Sequence, residues 1–320
     1  MLPETLSEEI FSLRQGETRP VVSCFAHLSA EGDVQSSRLE LNLVKVEKRL
    51  TYQQVDQRLR EHDNYFCQLY DIAMAANRQR ADSGACFLPL PEVNINVDEH
   101  WQVSVEVMER DGPAREMVAE TAILANRLKG EFMAASGLPS LYRVQARPRE
   151  LWQNLGPEAL FANFSRRRLL QRVEVSLSPG LHAGLGLSNY THATSPIRRY
   201  LDLLSQRQLI AGLRGQAPPL DGPQLLEIAQ ETEVNLRAAG RVLRARQRYW
   251  LLKWLEERQG QTMPALLLEQ QLRVWQILIK PIMLIASLNT QARGLMAGQE
   301  IAIKVLRADA FEDSLRLELA

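Results

Sequence analysis

The residues with the clearest chemical potential lie in the stretch Thr194-Ser195-Pro196-Ile197-Arg198-Arg199-Tyr200. Their order reads as a helix start. The hydroxyl of Thr194 or Ser195 is an N-cap, and Pro196 fits the first helical position, where its missing N–H costs nothing. A helix start already carries unsatisfied N–H groups and the positive end of the helix dipole. Two arginines in that first turn work against folding unless an anion comes close. Backbone amides and the forked donors of Arg198 and Arg199 together suit phosphate oxygens. Tyr190 and His192, just upstream, would add a ring face or a further hydrogen bond. The alternative is a well-capped helix with solvated arginines, and these residues alone leave both readings open.

A second concentration of charge follows. Arg237, Arg241, Arg244 and Arg248 recur at spacings of four, three and four, which puts them on one helix face, and only Glu233 is an acidic neighbour at such a spacing. Stacked like charges destabilise a helix, so a polyanion is the expected partner, with a solvated stripe as the alternative. Arg166, Arg167, Arg168 and Arg172, beside Phe164, form a weaker third cluster. Phe87 and Trp101 are candidates for base stacking, with core packing as the competing role. Glu120 falls inside a predicted helix, where it is either a surface carboxylate or a buried one that needs a partner.

These residues require a frame of mixed type. Two runs flanking "SAEGD" read as a β-hairpin with Gly32 in its turn, and a second hairpin is expected in "NINVDEHWQVSVEVMERDG". Helices are expected over "TYQQVDQRLREH", over "NYFCQLYDIAMAANRQRADSG", and from Pro113 to a stop at Gly137. A short strand in "SLYRVQARP" and short helices in "RELWQNLG" and "PEALFANFSRRRLL" come next. The helix opened by Thr194-Ser195-Pro196 would run to about Leu213, and the longest helix from Pro223 to Arg258. After Arg258 the pattern changes to four short alternating strands, which reads as a small OB-type β-barrel. The expected fold class is therefore α/β (α+β), with a mixed-sheet, long-helix domain over 1–258 and a small barrel over 259–320.

The formal net charge is zero over 320 residues, yet the charge is polarised. Residues 1–115 hold 12 basic against 19 acidic side chains, and residues 143–258 hold 18 against 10. Local basic density, not the total, governs phosphate contact. Three dispersed cysteines fit a reducing compartment, so a cytoplasmic location is expected. The longest apolar run, "ILIKPIMLIASL", is too short to span a bilayer as a helix.

The segment "HAGLGLSNYTHATSPIRRYLDLLSQRQL" resembles the signature of the ribonuclease II (RNB) family of 3′→5′ exoribonucleases. The opening "MLPETLSEEIFSLRQGETRPVVS", "GACFLPLPEV" and "MVAETAILAN" resemble three further family segments, and the last sixty residues resemble its RNA-binding OB domain. The resemblance implies hydrolysis of single-stranded RNA to nucleoside 5′-monophosphates, with Mg2+ held by clustered aspartates. It also implies phosphate contact by the arginine of the Ser-Pro-Ile-Arg motif, here Arg198. A base-clamping phenylalanine would be Phe87, or the position would fall on Leu88. Where the family carries paired glutamates this chain reads Ala119-Glu120, which assigns Glu120 to the catalytic site. The remaining RNA contacts are assigned to Arg199, Tyr190, His192, Thr194, Ser195 and the four arginines of the long helix. The family's aspartate cluster precedes the segment with which this sequence opens. Met1 is therefore expected to correspond to an internal methionine, the Mg2+ ligands to lie outside the sequence, and the chain alone to be inactive. Two readings follow. One is the C-terminal two-thirds of an exoribonuclease from a split, truncated or mis-started gene, active only with its missing part, which a separate chain could supply. The other is a non-catalytic RNA-binding relative.

Overall fold

Strands β1 (Thr18–Leu28) and β2 (Val34–Lys45) form the first hairpin, antiparallel along their length and reversed at Gly32, whose φ is +89°. The structure is a computed structural model that describes residues 2–108, 112–150, 152–156, 159–272 and 274–320. Helix α1 (Tyr52–Arg60) starts with a capping box. The Gln54 N–H donates to Thr51 Oγ1 at 3.2 Å, and Gln54 Oε1 accepts the Thr51 N–H at 2.8 Å. Helix α2 (Asn64–Asp82) is capped by Asp63, and α3 (Pro113–Ala135) begins with proline at its first position. The three helices meet on Val55, Ala73, Ala114 and Met117.

Two compact units share the chain, and both are discontinuous in sequence. The first comprises Met1–Phe87, Asp111–Asn154 and Leu170–Val234. It contains α1–α3 and the first hairpin, a short antiparallel pair β5 (Tyr142–Gln145) with β6 (Val173–Ser176), and helix α5 (Tyr200–Leu213). Leu141, Leu204, Leu225 and Ala229 make its second apolar cluster. The second unit comprises Leu88–Arg110, Leu155–Leu169 and Asn235–Ala320. The longest helix, α6 (Gly222–Glu256), contributes its first turns to the first unit and the rest to the second.

The second unit is built on five strands: β7 (Thr262–Gln271), β8 (Val274–Ile279), β9 (Leu284–Asn289), β10 (Glu300–Asp309) and β11 (Ser314–Leu319). They pair antiparallel in the order β11-β10-β7-β8-β9, and β9 returns beside β11, so the sheet nearly closes into a barrel. Strict alternation in β9 sends Leu284, Ala286 and Leu288 inward. Leu251, Leu252 and Leu255 of α6 join Trp275, Ile277, Ile279, Ile303 and Val305 in one core. The hairpin β3 (Glu92–Val97) with β4 (Val103–Met108), and helix α4 (Leu160–Arg167), complete the unit.

The mixed α and β architecture with a small terminal barrel agrees with the sequence-based expectation. Three details differ. The described part of "RELWQNLG" is a loop with no helix. Strand β6 falls where no strand is expected from sequence. Strand β9 lies inside the run "ILIKPIMLIASL", which Lys280-Pro281-Ile282 splits with a 3₁₀ turn into two paired strands. Among the described residues, no helix is long and apolar enough to cross a membrane.

Candidate nucleic-acid interface

Helix α5 starts at Tyr200 and not at Pro196, which corrects the predicted placement of both arginines. Residues 196–198 form a turn in which the N–H groups of Arg198 and Arg199 converge on the Ser195 carbonyl, at 3.2 and 2.9 Å. The cause is Asp202, a carboxylate only 1 % exposed. It reaches back to accept the Ser195 N–H at 3.0 Å and pairs with Arg199 Nη2 at 3.1 Å. Those two bonds hold the turn closed, and Arg199 becomes the residue before the helix with no side-chain cap. Neither Thr194, which is exposed, nor Ser195, which is half-buried, caps the helix.

Adjacent in sequence, the two arginines diverge in role. Arg199 turns inward, with Nη1 at 3.3 Å from His192 Nδ1 and a buried Nε that has no partner among the described residues. Arg198 is exposed, and its guanidinium has no partner among the described residues. Burial first, and then the Arg199 charge, push the His192 pKa down to about 3, so its ring is neutral and Nδ1 accepts from Arg199. Tyr190 is buried and edge-on to both His182 and His192, at 5.5 and 5.4 Å. Asn126 donates to its hydroxyl at 3.1 Å and accepts the Ala193 N–H at 2.9 Å. Of the ring face or hydrogen bond expected from sequence, Tyr190 makes the bond, and its buried ring braces the loop.

Beneath the turn lies Lys129 of α3, 2 % exposed, whose Nζ donates to Ser205 Oγ. Burial pushes its pKa down to about 7, and the charge of Asp202 pulls in the opposite direction. The apolar residues Met117, Ala122, Leu124 and Leu128 of α3 would by hydropathy form its buried stripe. In the structure Ala122 and Leu124 are half-buried, whereas Glu120, Asn126 and Lys129 are buried. Hydropathy periodicity ranks such polar side chains as surface, which is why Lys129 and Asn126 escape a sequence reading.

Glu120 is buried and paired, which settles its two alternatives against the surface. Arg80 Nε donates to Oε2 at 2.9 Å, Arg80 Nη2 and Asn77 Nδ2 both donate to Oε1, and Arg80 Nη1 reaches the Leu185 carbonyl at 3.1 Å. Phe87 lies over the same guanidinium at 5.2 Å, held by the Asn154 side chain, which accepts its N–H at 2.9 Å. The Gly-Leu-Gly-Leu element serves this cluster. Gly186 has φ +65°, and a Cβ there would sit 2.6 Å from the Arg80 carbonyl. Leu88 begins the second unit and is half-buried.

The arginines of α6 are placed in the second unit. Arg241 and Arg244 are exposed and without partners among the described residues. Arg237 is exposed and engaged in an interaction. Arg248 pairs through Nε with Asp313 at 2.5 Å, an acidic neighbour that helix spacing cannot reveal. Glu233 pairs with Arg143 of β5 at 3.1 Å.

Magnesium needs several oxygen ligands converging on one ion. Among the described residues no group of three or more His, Cys, Asp or Glu side chains makes such a site. The buried carboxylates here face cations already: Glu120 faces Arg80, and Asp202 faces Arg199. The described residues do not fit that ion.

Comparison with known proteins matches residues 1–215 to the family described as RNB domain. An uncharacterized ribonuclease of Synechocystis is 32 % identical over 99 % of this chain and 48 % of its own length. A chloroplastic/mitochondrial ribonuclease II of Arabidopsis thaliana is 26 % identical over 98 % of this chain and 40 % of its own. The chain thus spans about half the length of these curated relatives. The fold matches RNase R of Mycoplasma genitalium, solved with ribose methylated single-stranded RNA. The TM-score is 0.82 at 20 % identity, covering 100 % of this chain and 60 % of that one.

Two outcomes follow from the buried charges. Glu120→Ala leaves Arg80 uncompensated in the interior and should cost about 3–5 kcal/mol in urea unfolding, with the Arg80→Met/Glu120→Leu pair costing less. Lys129 has a folded pKa of about 7, below its unfolded value of about 10.5, so the unfolded chain binds more protons between those limits. Its contribution to stability therefore rises with pH across that window, and Lys129→Met should flatten the rise seen in unfolding midpoints.

Proposed function

The chain belongs to the RNB domain family, and on that footing we propose that it is the RNA-binding part of an exoribonuclease acting on single-stranded RNA from the 3′ end. The observation that carries this reading is Arg198, an exposed guanidinium with no partner among the described residues, presented by a turn that Asp202 fixes. A charged fork mounted on a fixed turn is suited to a phosphate oxygen pair. Thr194 and Ser195 flank it and supply hydroxyl donors. Arg199, His192 and Tyr190 act one layer down, as positioning residues for that turn. Phe87 remains the base-clamp candidate, with one face against Arg80. Arg241 and Arg244 extend the phosphate contacts, supported by Arg237 and Arg248.

Hydrolysis to nucleoside 5′-monophosphates, in this reading, uses Mg2+ on aspartates that the described residues do not provide, and a separate aspartate-bearing chain would complete the site. A second reading, a single-stranded RNA-binding relative without catalysis, is favoured by Glu120. Both of its oxygens accept hydrogen bonds from Arg80 and Asn77, so its charge is already compensated within the protein.

The chain alone should release no mononucleotides from a 5′-labelled oligoadenylate in Mg2+, read on a denaturing gel; a ladder of shortened products would overturn that expectation. It should bind the same oligonucleotide in fluorescence polarisation, more weakly as salt rises, with a slope of about −0.7 per phosphate contact. Arg198→Ala should weaken binding roughly tenfold or more, since hydrogen bonds to charged groups contribute about 1.5–3 kcal/mol. Unchanged affinity in that variant would remove the phosphate assignment.

A further inference from the structure

Trp101 sits at the tip of the β3–β4 hairpin, 73 % exposed, in the left-handed region at φ +62°. A bulky side chain in that region is a backbone outlier that costs of order 1–3 kcal/mol and persists only where its surroundings enforce it. Asp98 enforces it here. Its Oδ1 accepts the N–H of His100 and of Gln102 at 2.9 and 2.8 Å, and its carbonyl accepts the Trp101 N–H at 3.1 Å. A glycine would meet this turn without strain. The strained tryptophan instead stacks on Trp250 of α6, at 6.1 Å between centroids and 19° between planes. Tyr249 braces Trp250 edge-on at 5.1 Å. One face of the Trp101 indole is thus turned toward Trp250, and most of the ring is open to solvent.

The helix that carries Trp250 is cationic, whereas the hairpin tip itself bears Asp98 and the exposed Glu99. Arg246 lies one helical turn before Trp250 on the same side of α6, exposed and without a partner among the described residues. Residues 235–255 carry five arginines and one lysine and no acidic residue. A ligand fitting both features has a flat ring and a negative backbone. Every nucleobase has a π-face, and base–aromatic stacking beside a basic track is how single strands are held without regard to sequence.

We propose that Trp101, backed by Trp250, is a base-stacking subsite for single-stranded RNA on the second unit, with Arg246 contacting the adjoining phosphate. The inference rests on the RNA-binding reading above and adds a contact separate from the Arg198 turn.

The test uses the whole chain with two fluorescein-labelled ligands, an oligoadenylate and an abasic ribose-phosphate oligomer of the same length. Trp101→Gly relieves the left-handed strain, so its thermal midpoint should equal or exceed that of the parent. Its affinity for oligoadenylate should fall at least about fivefold, the low end of one base–aromatic stack, while its affinity for the abasic oligomer stays unchanged. Arg246→Ala should weaken both ligands. Equal loss on both ligands in Trp101→Gly, or no loss on either, overturns the subsite. If Arg198→Ala weakens binding and Trp101→Gly does not, this inference fails while the RNA-binding reading stands. No binding by the parent chain would overturn both. Concentration-dependent dimers in sedimentation that Trp101→Gly abolishes, with RNA affinity intact, would assign the indole to a contact between copies and likewise overturn it.

Discussion

The arrangement of the candidate interface depends on one buried carboxylate. Asp202 accepts the Ser195 N–H and pairs with Arg199, and its charge also acts on the buried Lys129. A carboxylate removed from water is costly unless charge and hydrogen bonds replace its hydration, and here one full ion pair and one backbone donor do so. The geometric consequence is that the chain cannot enter the helix at Pro196. It closes a turn first, and the helix begins four residues later. The chemical consequence is that one of two neighbouring arginines is consumed as a countercharge, which leaves the other free.

The same rule shapes the second buried charge. Glu120 and Arg80 neutralise each other in the interior, while Arg80 Nη1 also donates to the Leu185 carbonyl and the guanidinium lies against the Phe87 ring. That bond ties α2 to the Gly-Leu-Gly-Leu loop, which lies a few residues before Tyr190 and His192. The loop, the turn and α5 are therefore positioned from beneath by polar contacts as much as by apolar ones. His192 fits this account. A protonated ring beside the half-buried Arg199 would set two cations against each other, and burial together with that charge keeps it neutral and able to accept.

Much of the frame was legible because local chemistry and tertiary structure agree. The Thr51–Gln54 capping box, Pro113 at the start of α3 and the alternation in β3, β4 and the barrel strands each act within a few residues. The features that escaped are those decided at long range. Ser195 lost its capping role to a carboxylate seven residues away, and Arg248 found Asp313 sixty-five residues away. Lys129 and Asn126 sit on a face that hydropathy marks as solvent-exposed, yet they are buried because partners from other elements meet them there. Residue type and spacing identify which groups carry chemistry. Which of them remain free to use it depends on countercharges that arrive from distant parts of the chain.

That distinction bears on how an anion would be held. A pair of solvated arginines in a first helical turn would offer a diffuse, mobile positive end, with each side chain losing rotamer freedom on binding. In the structure Arg199 is already ordered by Asp202 and His192, and its charge is compensated. Only Arg198 must be immobilised, and the turn beneath it is fixed before any ligand arrives. The ordering cost has largely been met in folding by the Asp202 contacts, so the net gain from one guanidinium fork on a preset turn can exceed that from two loose ones. The buried carboxylate thus sets both the shape of the turn and the number of cations it presents.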